Sequence, residues 1–137
     1  MSILNETTIE TLAISILKGL DYRYIYGPDL NSESQNSLRS NLAEPLLLPI
    51  LQNAITRLNP NILLSVQQEA LRQVQRVYSQ DSLASNEAFH IMLTEGIKVS
   101  YQKDGSERGD LVWLIDYDNL ENNDFLVVNQ YTVIKDQ

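Results

Sequence analysis

Two short apolar runs late in the chain, 111–115 (LVWLI) and 125–128 (FLVV), are rich in β-branched and aromatic residues and almost free of polar ones. That pattern belongs to strands covered on both faces, so 111–134 is expected to hold the sheet core. Past Val128, the polar residues Asn129, Gln130 and Thr132 separate Tyr131, Val133 and Ile134. The second strand should emerge from cover there, and any polar side chain that stays buried needs a hydrogen-bonding partner. Upstream, Ile97, Val99 and Tyr101 alternate with polar residues, and Asp104-Gly105 is a hairpin turn leading back along 111–115. The region of about 97–135 therefore reads as an antiparallel β meander.

The earlier part of the chain has helical spacing instead. Thr7-Thr8-Ile9-Glu10 matches a capping box, and Ile9, Leu12, Ala13, Ile16, Leu17 and Leu20 follow as an apolar stripe. A helix over about 8–19 is predicted, with Gly19 helping to end it. Tyr22, Tyr24 and Tyr26 then alternate with Asp21, Arg23 and Ile25 before Gly27-Pro28-Asp29, a short extended segment closed by a turn. These tyrosines suit either packing over the first helix or stacking on bases. The Ser- and Asn-rich stretch 31–41 reads as a mobile surface loop.

Pro45 and Pro49 suit the start of a helix bearing Ile50, Leu51, Ala54, Ile55 and Leu58, which Asn59-Pro60 stops. Ser65-Val66-Gln67-Gln68 is a second capping pattern. It opens a helix to about Tyr78 with Val66, Ala70, Leu71, Val74 and Val77 on one face. A further helix runs through Phe89 and Leu93 to Gly96. The expected fold class is α+β, with helices over about 1–96 packed on the meander, in a single domain or domain fragment spanning 1–137.

A chain of 137 residues buries roughly two thirds of the surface its unfolded form exposes, so no disulfide or metal staple is required. Cysteine is absent, which removes thiol catalysis and zinc thiolate sites together. Met1 is followed by polar residues instead of a signal-peptide pattern, and no apolar run approaches about 18 residues, so a cytoplasmic protein without membrane contact is expected.

The net charge of -8 is concentrated: 104–124 holds seven carboxylates against the single cation Arg108. Such a surface repels phosphate. Contact with nucleic acid would fall instead to the mildly basic region of Arg57, Arg72 and Arg76, although plain solvated faces are the simpler account of both regions.

The acidic connection 116–124 invites a cation, yet an EF-hand loop counted from Asp116 needs glycine where Glu121 stands and a ligand where Leu120 stands. A solvated turn whose Asp and Asn side chains bond local backbone fits better, and no metal site is assigned. His90 is the sole histidine, which excludes a multi-histidine site within one chain and suits a structural surface residue. Glu10 is a further candidate, because a carboxylate on the first helix can face a neighbouring sheet; its capping role accounts for it as well. Phosphate-binding glycine loops and nucleophile elbows are absent.

Taken together, these segments resemble the start of the R subunit of type I restriction enzymes, which joins a nuclease domain to an ATP-driven DNA translocase. The resemblance rests on the first helix leading to Tyr22, Gly27-Pro28-Asp29, and Arg57-Leu58-Asn59-Pro60. It continues through Asn86, Phe89-His90, Leu93-Thr94-Glu95-Gly96 and, most specifically, 114–116 with 122–133. It implies an incomplete nuclease domain of the PD-(D/E)xK kind, whose catalytic Asp and Glu-x-Lys are expected on strands beyond the one ending near Ile134. The family's metal-assisted phosphodiester hydrolysis uses magnesium, its translocation uses ATP, and its partners are DNA and the specificity and methylation subunits.

By this resemblance one catalytic candidate carries over, Glu10, by its place on the first helix, and the chain alone is expected to be inactive. Asp21 stands where the family usually has glycine. The C-terminal strand, if its next neighbour is missing, is expected to support self-association. The rival reading is a non-catalytic interaction module docking to restriction-modification subunits.

Overall fold

The computed structural model describes residues 5–30, 46–78 and 82–133. The elements run α1 (Glu6–Gly19), β1 (Arg23–Tyr26), α2 (Leu48–Leu58), α3 (Leu64–Tyr78), α4 (Ser82–Glu95), β2 (Ile97–Lys103), β3 (Ser106–Val112) and β4 (Leu126–Asn129), with 3-10 turns at Gly27–Leu30 and Leu120–Asn122. Helix and strand are thus mixed, as an α+β chain requires. The contacts divide the chain into two compact units, Met1–Leu48 with Asp124–Gln137, and Pro49–Asn123. The loop expected at 31–41 and the proline expected at position 45 lie outside the described residues.

In the first unit, Asn5 caps α1, its Oδ1 accepting from the Thr8 amide at 2.8 Å and the Thr8 hydroxyl at 3.0 Å. The capping box expected at Thr7 to Glu10 does not form. Asn5 serves the free amides two residues earlier, which leaves the Glu10 carboxylate for other partners. The helix ends beyond Gly19 in a Schellman arrangement: Tyr22 N donates to Leu17 O at 3.0 Å and Asp21 N to Lys18 O at 3.1 Å. Asp21 has φ 69°, the left-handed conformation for which glycine has no steric penalty. Asp21 thus occupies a position where glycine would be unstrained. Asp21→Gly is accordingly expected to stabilise the chain by about 0.5–1 kcal/mol, read as a raised urea midpoint with unchanged slope.

β1 and β4 pair in parallel, Arg23 opposite Leu126 through Tyr26 opposite Asn129. This corrects the expected meander: 125–128 returns to the N-terminal strand and not to 111–115. The Arg23 guanidinium holds Asp124 at 2.6 Å and 3.3 Å, Arg23 N donates to Phe125 O at 2.7 Å, and the Tyr22 and Phe125 rings meet at 5.4 Å. These contacts fix the register at the start of the pair.

In the second unit, β2 and β3 form the predicted antiparallel hairpin, from Ile97 opposite Val112 to Lys103 opposite Ser106. Asp104 and Gly105 take φ 54° and 79°, the type I′ geometry that matches strand twist. Ile97 and Val99 are buried on one face of β2, against which α3 packs. On α3, Val66, Ala70 and Val74 are buried, as the spacing predicts, together with Ile55 of α2. α3 begins at Leu64, so Ser65 lies inside its first turn and is not its cap. Gly96, with φ 82°, lets the chain turn from α4 into β2 while the Trp113 ring lies 3.4 Å from where a Cβ would be.

The expectation of a strand buried on both faces at 111–115 is overturned. β3 ends at Val112, and its residues before Val112 are exposed. The cause is Asn59, whose Oδ1 accepts from Trp113 N at 2.8 Å while Nδ2 donates to Trp113 O at 2.8 Å and Ile55 O at 2.7 Å. With both backbone groups of Trp113 taken by one side chain, the ladder has nothing to continue on. Asn59 is 5% exposed, and Gln67 Nε2 donates to its carbonyl at 3.2 Å and to Ile62 O at 2.9 Å. This buried amide cluster ends α2 and joins it to the hairpin. Among the described residues no helix is long and apolar enough to cross a membrane.

Candidate functional site

Parallel strands deliver their carboxyl ends to one side, where neighbouring loops and helices converge and ligands commonly bind. At that end of β1 and β4, α1 presents Glu10. Asn129 Nδ2 donates a short hydrogen bond to Glu10 Oε1, and Gln130 Nε2 donates to the same oxygen at 3.5 Å. Asn129 Oδ1 accepts from the Tyr24 hydroxyl at 2.9 Å and from Gly27 N at 3.3 Å. Both ends of the Asn129 amide are thereby satisfied, so its orientation follows from its partners. The polar residues at the close of the apolar run 125–128 have found the partner they required.

Gly27 makes this closeness possible. A Cβ there would run into the Asn129 carbonyl oxygen and lie 2.6 Å from the Gln130 carbonyl oxygen. Gln130 itself has φ 47°, so the chain turns sharply off β4 just where its amide reaches Glu10. The product is a carboxylate with one oxygen fixed by two amide donors. Among the described residues, the hydrogen bonds to the Glu10 carboxylate all fall on Oε1. A single carboxylate supplies one ligand where a hydrated magnesium ion is usually held by one or two carboxylates together with substrate phosphate oxygens. Among the described residues no three His, Cys, Asp or Glu side chains gather. The magnesium implied by the resemblance does not fit these residues by themselves.

The arginines proposed from the sequence lie in the second unit. Arg72 and Arg76 both grip Glu69, at 2.9 Å and 2.8 Å, and the Arg72 hydrogen bond, against some desolvation and with help from Arg76, holds the Glu69 carboxyl below the usual range. Arg57 is occupied differently, with Nε donating to Asn122 O at 2.8 Å. The structure thus brings Arg72 and Arg76 together around a carboxylate, while Arg57 pins the turn at Leu120–Asn122. His90 is exposed on α4.

The acidic connection forms the local turn expected of it. Asp116 Oδ1 accepts from the Asp118 and Asn119 amides at 3.0 Å and 2.9 Å, and Asn122 Nδ2 donates to Oδ2 at 2.9 Å. Asn123 closes the ring, accepting from Asp116 N and donating to Asp116 O. The Asn122 hydrogen bond, followed by the backbone donors, keeps the Asp116 carboxyl below its ordinary range. These bonds favour the charged form, so their contribution is present above the ordinary aspartate pKa and fades as pH falls through the depressed folded value. Beside this turn Leu58, Trp113, Ile115, Asp116, Tyr117 and Asp118 line a cleft of about 260 Å³.

Sequence comparison assigns the class. The family described as type I restriction enzyme R protein N terminus matches residues 3–137, and the chain belongs to that family. It is 29% identical over 130 residues to the type I restriction enzyme HindI endonuclease subunit of Haemophilus influenzae. It is 30% identical over 131 residues to the putative type I restriction enzyme MjaIXP endonuclease subunit of Methanocaldococcus jannaschii. Each alignment covers 95% of this chain and 12% of the relative, so the chain spans about an eighth of the length of these proteins. No solved structure matches it.

Sequence reading singled out Glu10 but missed Tyr24, Gly27 and Asn129 as its surroundings. The signal available was the pair of polar residues closing an otherwise apolar strand.

Proposed function

We propose that α1, β1 and β4 form one wall of the endonuclease domain of a type I restriction R subunit, and that Glu10 belongs to the polar site of that domain. The observation that carries this reading is the Glu10 carboxylate fixed by Asn129 and Gln130 at the carboxyl end of the parallel pair. Membership of the R-protein family supports it. The metal ligands and the lysine that the family resemblance implies would be supplied by other parts of the R subunit, and DNA, ATP and the specificity and methylation subunits would be partners of that whole enzyme.

The 137-residue chain alone is expected not to nick supercoiled plasmid in magnesium, because its described residues assemble no metal-ligating group of three. It should bind duplex DNA no tighter than micromolar at physiological salt, since Arg72 and Arg76 are already paired with Glu69 and the net charge is -8. Nicking that follows the protein through purification would contradict this.

In the assembled enzyme, Glu10→Gln keeps an oxygen for the Asn129 and Gln130 amides but removes the negative charge. Plasmid cleavage is expected to fall by about tenfold or more, with ATP hydrolysis unchanged. Equal cleavage by the variant would remove Glu10 from the site.

A further inference from the structure

α1 carries apolar side chains on two faces. Ile14 and Leu17 follow Glu10 at i+4 and i+7 and, like it, are half-buried. Ile9, Leu12, Ile16 and Leu20 form a second ridge and are between 55% and 64% exposed. The sequence stripe that predicted a core face is thus largely turned outward. Between Thr7 and Gly19 the only charges are Glu10, bonded to Asn129, and Lys18, whose Nζ lies 5.8 Å from the Tyr24 ring centre. Both reach towards β1 and β4, leaving an apolar ridge interrupted only by neutral residues. A solvated helix face is normally charged, whereas the middle of an interface is depleted of charge.

The described residues of the surrounding unit bury little apolar surface of their own. Of its described apolar side chains only Leu30 is buried, while Phe125 and Val133 are 39% and 48% exposed. The relatives point to an occupant, since the matched region is only 12% of each of them. We infer that the outer ridge of α1 is a docking face for polypeptide that follows this region in the endonuclease subunit, received as an apolar helix ridge in a groove. The inference rests on the R-subunit reading and adds the surface by which this wall joins the rest of the protein.

The test places the photo-reactive residue p-benzoylphenylalanine at Leu12 in the subunit encoded by the gene, with the same residue at exposed Glu6 as a control, and maps cross-links by mass spectrometry. Cross-links from position 12 to residues after Gln137 of the same polypeptide are expected, with at least about fivefold less from position 6. Cross-links confined to 1–137, cross-links to a second copy, or none would overturn the inference and leave the family assignment intact. A reading frame that stops at Gln137 would overturn the R-subunit reading itself, and this inference with it. As a second readout, the pair Leu12→Glu and Ile16→Glu should lower the melting temperature of the subunit. In the 137-residue chain the same pair should leave melting unchanged and weaken any self-association by about tenfold or more. No change in either protein would also overturn the inference.

Discussion

Asn59→Ala is expected to lower the unfolding free energy by about 3–4 kcal/mol, because three side-chain hydrogen bonds disappear and the backbone groups of Trp113 lose their partner. The bonds run from Nδ2 to Ile55 O and Trp113 O and from Trp113 N to Oδ1, at 2.7–2.8 Å, with Asn59 itself 5% exposed. Removing the amide also opens a small void between the end of α2 and the hairpin. Asn59→Asp separates hydrogen bonding from volume. It keeps an acceptor for Trp113 N but sets a second oxygen against two carbonyls, so its loss should equal or exceed that of alanine. Urea unfolding measures both, and a loss below about 1 kcal/mol for either variant would show that the clip is dispensable. Against the 5–15 kcal/mol typical of a whole domain, the expected loss is a large fraction.

Gly27→Val should have the largest effect on the first unit. The glycine lies against the Asn129 and Gln130 carbonyls, and backbone cannot move aside as a flexible side chain can. About 3 kcal/mol of destabilisation is expected from the clash, together with loss of the β1–β4 register. Hydrogen exchange should show this directly, the amides of β4 losing protection while those of β2 and β3 keep it. Equal protection in both sheets would place the strain elsewhere.

What was legible in the sequence was mostly local. The hairpin of β2 and β3 could be read because Asp104-Gly105 supplies the left-handed pair that a type I′ turn requires, and Ile97 and Val99 alternate beside it. The buried face of α3 followed from spacing alone. The 116–123 turn followed from the habit of Asp and Asn side chains of bonding nearby backbone.

The errors came from partners distant in sequence. Nothing near Leu126 announces that its neighbour is Arg23, so an adjacent strand was the natural but wrong choice for β4. An apolar run at 111–115 looks like a strand until Asn59 takes both backbone groups of Trp113. Thr7 to Glu10 fits a capping box as well as any sequence can, yet Asn5 caps α1 and Glu10 bonds Asn129 and Gln130. The α1 stripe was found, but its direction was not, because periodicity reports a face without saying what lies opposite it.

The central claim is that α1, β1 and β4 belong to a nuclease domain, and the most direct measurement compares DNA cleavage with ATP hydrolysis in the assembled enzyme carrying Gly27→Val. With the β1–β4 register broken and Glu10 separated from Asn129, cleavage of the plasmid substrate should be lost, falling by about a hundredfold or more, while ATP hydrolysis stays within about twofold of the parent enzyme. Cleavage at the parent rate, in a variant whose β4 amides have demonstrably lost their protection, would contradict the account.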